Sequence, residues 1–231
     1  MNGLLVCAGD IGNAFLYAVM KEKYYVIAGP EFGPEVHGKR LVIHKSLYGL
    51  KTSAASFHEH LSVKLRELGY TPSKADSDLW MKDCGTHYEY IAPYVDDVIV
   101  FSKNPMDIIN KLKDTYIMKG VGAPQYYLGG DVIELDNQWH REGIQTAFSV
   151  ETYIKNCLEK LAKMLNIEQF GTQRTPMDSE YHPELDESPL CDAQHITKYK
   201  SLLGCANWII ILGRFDIQFA VTTLAWYSNV P

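Results

Sequence analysis

Two aspartates stand side by side at Asp96 and Asp97, between the apolar runs Ile91-Ala92-Pro93-Tyr94-Val95 and Val98-Ile99-Val100-Phe101. In an open turn such a pair would do no more than solvate the chain, since Asp is a favoured turn residue. Pressed between strands, two like charges repel unless a cation neutralises them, and oxygen donors so placed suit a hard divalent ion such as magnesium. Asp10 offers a third carboxylate just after another apolar run, Leu4 to Ala8. If its strand neighbours the other two, the three acids could hold two ions. One ion would lower the pKa of an attacking hydroxyl and the other would stabilise a leaving phosphate oxygen. Nucleotide addition and nucleotide cyclisation both fit that chemistry, and Asp10 as a plain turn cap remains the bland alternative.

Such acids need elements to hold them. Leu4 to Ala8 reads as a buried strand ending at Gly9 and Asp10, and Tyr88 to Tyr94 with Val98 to Phe101 reads as a hairpin joined by Val95-Asp96-Asp97. Between them lie a Gly/Pro-rich loop from Gly29 to Gly38 and a short strand, Leu41-Val42-Ile43. A helix follows that Ser53 could cap, with Phe57, Leu61, Leu65 and Leu68 on one face and Gly69 at its end. Asn104 and Pro105 open a second helix with Ile108, Ile109, Leu112 and Tyr116 inward, and a second hairpin spans Gln125 to Ile144, turning near Asp136-Asn137. Ser149 precedes a third helix whose Ile154, Leu158, Leu161 and Leu165 share a face, and Tyr199 to Ser228 reads as two apolar helices broken at Gly213. This order predicts an α+β fold whose first compact domain ends near residue 146.

At 231 residues, 46% hydrophobic and 22% charged, the chain has the composition of a folded protein, which excludes wholesale disorder. Its net charge of −6 is unlike that of a module holding nucleic acid by charge alone. The acid is concentrated: Asp178, Glu180, Glu184, Asp186, Glu187 and Asp192 crowd residues 176–192, where no Lys or Arg occurs. A basic stretch runs from Lys39 through Arg40, Lys45, Lys51, Lys64 and Arg66 to Lys74, and reads either as a surface for a polyanion or as a solvated face. Five dispersed cysteines without a Cys-x-x-Cys pair argue for a reduced, intracellular setting. No apolar run nears the roughly 18 residues of a membrane span, so no membrane partner is expected.

Beyond the acids, the chain carries Asp10-Ile-Gly-Asn-Ala-Phe-Leu16, Lys45-Ser-Leu-Tyr-Gly-Leu-Lys51, Tyr94-Val-Asp-Asp97, Met118-Lys119, Tyr127-Leu-Gly129, Thr175-Pro-Met177, Tyr199-Lys-Ser-Leu-Leu-Gly204 and Asp216-Ile-Gln-Phe-Ala-Val221, running on to Pro231. In this order the set resembles the reverse transcriptase domain of copia-type LTR retrotransposon Pol polyproteins. The resemblance implies an RNA-directed DNA polymerase built on a right-hand palm, a ferredoxin-like antiparallel sheet with helices. It implies two magnesium ions, with manganese as a substitute, held by Asp10, Asp96, Asp97 and the backbone of Ile11. Around the incoming dNTP it sets Gly12, Phe15, Tyr48, Gly49, Val95 and Lys119, with the Phe15 ring blocking a ribose 2′-hydroxyl. Lys119 is credited with protonating pyrophosphate, though an exposed lysine at a helix end is an equal reading of the residue itself. Tyr127, Leu128, Gly129 and Gly130 match a primer grip, while Lys45 and Lys51 fall in the basic stretch suited to nucleic acid.

The implied partners are an RNA or DNA template-primer, dNTPs and the remainder of a Gag-Pol polyprotein with integrase and ribonuclease H, and the implied setting is a cytoplasmic virus-like particle. The implied division is a palm with partial fingers over 1–146, a thumb-like helical segment over 147–174, an acidic linker over 175–195 and connection-like helices over 196–231. Two departures stand out. After Lys51 the family runs Gln, a small residue, Pro, Arg and, two residues on, Trp, whereas this chain has Thr52-Ser53-Ala54-Ala55-Ser56-Phe57. The family also carries fingers before the first acid, and nine residues precede Asp10 here, so the expectation is a palm with its fingers largely missing, with an inactive, truncated retroelement remnant as the alternative. A nucleotide cyclase-like palm would use similar acids but leave the primer-grip and C-terminal motifs unexplained.

Overall fold

The computed structural model describes residues 3–135, 146–178, 182, 185 and 187–229; the turn expected near Asp136-Asn137 and the terminal Pro231 lie outside them. The fold is mixed α and β with antiparallel pairing throughout the described sheets. By internal contacts the chain divides into two compact units, Met1–Pro124 and Gln125–Pro231.

In the first unit, β1 (Leu5–Ile11), β4 (Thr71–Pro72), β5 (Trp80–Asp83), β6 (Tyr88–Tyr94), β7 (Asp97–Ser102) and β8 (Met118–Gly122) form one sheet in the order β4-β5-β6-β7-β1-β8. The apolar first strand is therefore interior to the sheet. Alternate residues point to one face, so Cys7 and Ile11 of β1 and Val98 and Val100 of β7 are buried together with Ile91 of β6. Against them pack Phe57, Leu61 and Leu65 of α1 (Ser53–Glu67) and Ile108, Ile109 and Leu112 of α2 (Pro105–Lys113), joined by Tyr116. The spacing of the apolar residues thus predicts the inward faces of both helices, and Gly69 at φ 87 ends the first.

Ser53 does not cap α1. It is buried and its hydroxyl turns back, donating to the Leu47 carbonyl at 2.6 Å and accepting from the Leu47 amide at 3.1 Å, so it ties the Lys45–Lys51 segment to the helix start. The strand expected at Leu41-Val42-Ile43 is β3 (Arg40–Lys45), paired with β2 (Val19–Ile27) in a separate two-stranded sheet. β2 is mostly exposed and lacks the alternation by which a strand is read from sequence.

In the second unit, β9 (Tyr126–Tyr127), β10 (Gly130–Glu134) and β11 (Thr146–Ser149) form a three-stranded sheet. Leu128 at φ 48 and Gly129 at φ 93 make the two-residue turn between β9 and β10, the type I′ form that fits strand twist. A Cβ on Gly129 would lie 2.8 Å from Trp208 Nε1, so glycine is also required by packing. Helices α3 (Glu151–Leu165), α4 (Ala193–Ile211) and α5 (Gln218–Ala225) follow, and Asp192 of the acidic stretch caps α4 by accepting from the His195 amide at 2.8 Å. No residue of α3 is buried: Leu158 and Leu165 of its apolar face are exposed, and Leu158 and Leu161 border an open apolar cavity of about 290 Å³ shared with α4 and α5. Among the described residues no helix is long and apolar enough to cross a membrane.

Candidate active site

The connection between β6 and β7 is one residue shorter than expected. Tyr94 pairs with Asp97, which leaves Val95 and Asp96 as the turn and puts Asp97 in the strand. Val95 has φ 56. A positive φ at the first central residue alone is the mark of a type II′ turn, a position that glycine normally takes, and a β-branched residue there is a true backbone outlier. Such outliers persist where surrounding structure over-determines them.

Register does the rest. Asp10 of β1 lies opposite Asp97 of β7, and the Ile11 amide donates to the Asp96 carbonyl at 2.7 Å. Because Asp10 and Asp97 alternate with the buried Ile11 and Val98, both project from the sheet face away from the helices, with directly opposed Cβ atoms about 4.5–5.5 Å apart. On its other side Asp10 faces Lys119 of β8, after a register shift between Ala8 and Asp10. Lys119 therefore stands in a strand, not at a helix end. A Cβ on Gly12 would meet Lys119 Cε at 2.9 Å, so the lysine stem lies along Gly12. The Ile11 and Gly12 amides both donate inside the protein, Gly12 to the Ile117 carbonyl at 2.8 Å.

Burial and its two acidic neighbours, Asp96 and Asp10, raise the Asp97 carboxyl above its ordinary range, in that order of importance. The Tyr48 hydroxyl donates to Asp96 Oδ2 at 3.1 Å, and burial together with that carboxylate pushes the phenol upward. Gly49, at φ 89, completes the turn that presents Tyr48. Phe15 lies in a 3-10 turn spanning Ala14–Tyr17, with its ring centroid 4.5 Å from that of Tyr48 and 6.2 Å from that of Phe57. It is 8% exposed and belongs to the core, touching the acidic end through Tyr48.

The structure thus brings together Asp10, Asp96, Asp97, Ile11, Gly12, Val95, Tyr48, Phe15 and Lys119. The carboxylates remain more open than a closed metal cage: among the described residues, the set of three donors with ligand atoms all within 4.8 Å of one another is Cys84, His87 and Glu89. Lys45, at the end of β3, and Lys51, in the turn before α1, are exposed on a different element from the acids. Tyr127, Leu128, Gly129 and Gly130 form the tight hairpin of the second unit.

Sequence reasoning missed a cavity of about 300 Å³ lined by Ala54, Ala55, Phe57 and Leu61 of α1 and by Pro93, Tyr94 and Val95 at the turn, with His58 and Asp78 paired at 2.7 Å on its wall. The signal was present in the small residues Ala54 and Ala55, where the family pattern has Pro and Arg.

Residues 2–179 match a family described as reverse transcriptase (RNA-dependent DNA polymerase). A transposon Ty5-1 protein of Saccharomyces cerevisiae is 27% identical over 230 residues, covering 96% of this chain and 70% of that protein. The transposon Ty1-DR4 Gag-Pol polyprotein of the same yeast is 28% identical over 241 residues, 100% of this chain but 14% of the polyprotein. The truncated transposon Ty1-A Gag-Pol polyprotein is 28% identical over 239 residues, 100% of this chain and 19% of that protein.

Proposed function

The chain belongs to the reverse transcriptase (RNA-dependent DNA polymerase) family, and from that membership we propose that it forms the catalytic palm of an RNA-directed DNA polymerase, adding deoxynucleotides to a primer 3′-hydroxyl on an RNA or DNA template. The observation that carries the proposal is the register of β1 on β7, with Asp10 opposite Asp97 and the Ile11 amide on the Asp96 carbonyl.

The donor set fits the divalent metal the family implies. Three carboxylates and the Ile11 carbonyl are hard oxygen ligands, and the Asp97 carboxyl is raised first by burial and then by Asp96 and Asp10, both costs that a bound cation would offset. Asp10, Asp96, Asp97 and the Ile11 carbonyl would hold two magnesium ions. When bound, the pair supplies Lewis-acid stabilisation of the phosphate oxygens and a lowered pKa for the 3′-hydroxyl.

The other roles belong to the chain's own groups. The rigid Val95 turn fixes Asp96 and borders the primer terminus. Phe15, backed by Phe57, steadies the Tyr48 ring beside the sugar. Tyr48 orients the Asp96 carboxylate by its hydrogen bond, and Lys119, in line with Asp10 and Asp97 across three strands, is the cation nearest in register to the departing pyrophosphate. Tyr127 to Gly130 act as the primer grip. In this reading residues 1–146 are palm with partial fingers, α3 begins a thumb-like segment over 147–174, and α4 and α5 are connection-like, after the acidic linker. The chain would work as part of a Gag-Pol polyprotein.

Extension of a labelled primer on an RNA template tests the reading, with an upstream segment from a relative joined to the chain. Dependence on dNTP and magnesium, lost by a factor on the order of 10²–10³ or more in Asp96→Asn, is the expected result. Extension indistinguishable from the Asp96→Asn control would favour the inactive remnant. Ala55 favours that second reading, because an arginine is expected where the cavity now opens; Ala55→Arg should then restore extension.

A further inference from the structure

The loop from β5 to β6 reverses through Cys84-Gly85-Thr86-His87, with the Cys84 amide donating to the His87 carbonyl at 2.9 Å. Gly85 at φ 79, its amide held by Asp83 Oδ1 at 2.7 Å, makes the reversal possible. The closure sets residues 84 and 87 side by side, and Glu89 follows two residues later, on the same side of the extended chain as His87. The Cys84 sulfur, a His87 ring nitrogen and a Glu89 carboxylate oxygen consequently lie within 4.8 Å of one another.

His87 supplies the second observation. Its side chain is 10% exposed, and Nε2 is buried without a hydrogen-bond partner, 4.0 Å from Glu89 Oε1. That separation is too long for a hydrogen bond, and a buried polar atom left alone is costly. The ring's other nitrogen, Nδ1, stands 3.0 Å from the Thr86 hydroxyl. With Nδ1–H donating to Thr86, Nε2 presents a bare lone pair toward the sulfur and the carboxylate.

We propose that Cys84, His87 and Glu89 form a zinc site, separate from the aspartates of β1 and β7, that clamps the β5–β6 loop to the sheet. Thiolate, neutral imidazole and carboxylate are the donors zinc takes, and the fourth position is left to water. Magnesium, which wants oxygen, is excluded by the thiolate. Zinc–ligand bonds of about 2.0–2.3 Å put tetrahedral ligands roughly 3.3–3.8 Å apart, so a small contraction closes the set. The supporting contacts are in place: Glu89 accepts from the Ser102 hydroxyl on Oε1 and from the Tyr70 hydroxyl on Oε2 at 3.1 Å, and its further hydrogen bond from the Cys84 thiol is given up with that proton when zinc binds. Those bonds reach β7 and the segment after α1. Cys84 is exposed, which gives the ion an entry path, and its thiol releases a proton as the zinc–sulfur bond forms.

The test uses the full chain, dialysed against zinc and, in parallel, against cobalt(II). Expected results are one tightly held zinc, a thiolate-to-cobalt charge-transfer band in the near ultraviolet, and a melting temperature that rises with zinc. Cys84→Ser and His87→Asn should each weaken zinc binding by more than about 100-fold, since loss of supporting contacts alone costs 10–100-fold. Cys191→Ser, another exposed cysteine, should change nothing. Cys84→Ser lies at an exposed loop position, and an unchanged metal-free melting curve checks its fold. Zinc uptake equal in Cys84→Ser and the parent, no uptake by the parent, or alkylation of Cys84 at one rate with and without zinc would overturn the proposal.

Discussion

Asp97 carries a cost when the chain folds that it does not carry unfolded. Its carboxyl is raised above the ordinary value of 3.8, first by burial and then by Asp96 and Asp10. As pH climbs past that ordinary value, the unfolded chain gives up the proton while the folded chain still holds it, so stability falls until the folded group ionises too. Asp97→Asn should therefore melt above the parent at pH 7 in metal-free buffer, and the difference should vanish near pH 3. The gain will be small because the side chain is partly solvated. Magnesium should narrow or reverse it by stabilising the parent more than the variant, and melting curves across pH with and without magnesium check both points. Phe15 obeys the opposite logic: buried against Phe57 and Tyr48, its truncation to alanine should cost about 3 kcal/mol or more. The sugar-gate role is read separately, as a raised ratio of ribonucleotide to deoxyribonucleotide kcat/KM in the milder Phe15→Leu.

Ser53 shows how an element is anchored from outside itself. Its buried hydroxyl serves both polar groups of Leu47, so Ser53→Ala should lower stability by about 1–3 kcal/mol, measured by urea denaturation, and loosen the segment that presents Tyr48. A serine before an apolar-periodic run reads from sequence as a cap, because a bond six residues back leaves no local signature. The β6–β7 hairpin and the inward faces of α1 and α2 were legible, since each rests on short-range periodicity, whereas the convergence of Asp10 with Asp96 and Asp97 was open from residue type alone and was expected from the family resemblance. The left-handed Val95, the register shift beside Asp10 and the strand that holds Lys119 were not, because each is decided by what lies across the sheet. The mixed Cys84-x-x-His87-x-Glu89 pattern escaped a search for paired cysteines for a similar reason: its meaning depends on how tightly one loop closes.

Across the whole molecule, charge must be local to be useful. The net charge is −6, and three members of the basic stretch are engaged within the fold: Arg40 over the Tyr25 ring at 5.6 Å, Arg66 over Trp80 at 5.2 Å and Lys64 with Glu67 at 3.7 Å. Lys45 and Lys51 stay exposed, so Lys45→Glu/Lys51→Glu should weaken binding to a primer-template and flatten the slope of log affinity against log salt by roughly 2, with the melting curve unchanged. The sheet order has a last consequence, which belongs to synthesis. β1 leaves the ribosome before every strand it pairs with, yet it sits between β7 and β8, whose residues follow by roughly 90–110 positions. At translation rates of about 5–20 residues per second the nascent strand waits roughly 5–20 s with both apolar edges unpaired. An apolar strand left open on both edges for that long is exposed to non-native pairing, so early cover of β1 would protect the chain even though the finished sheet buries the strand.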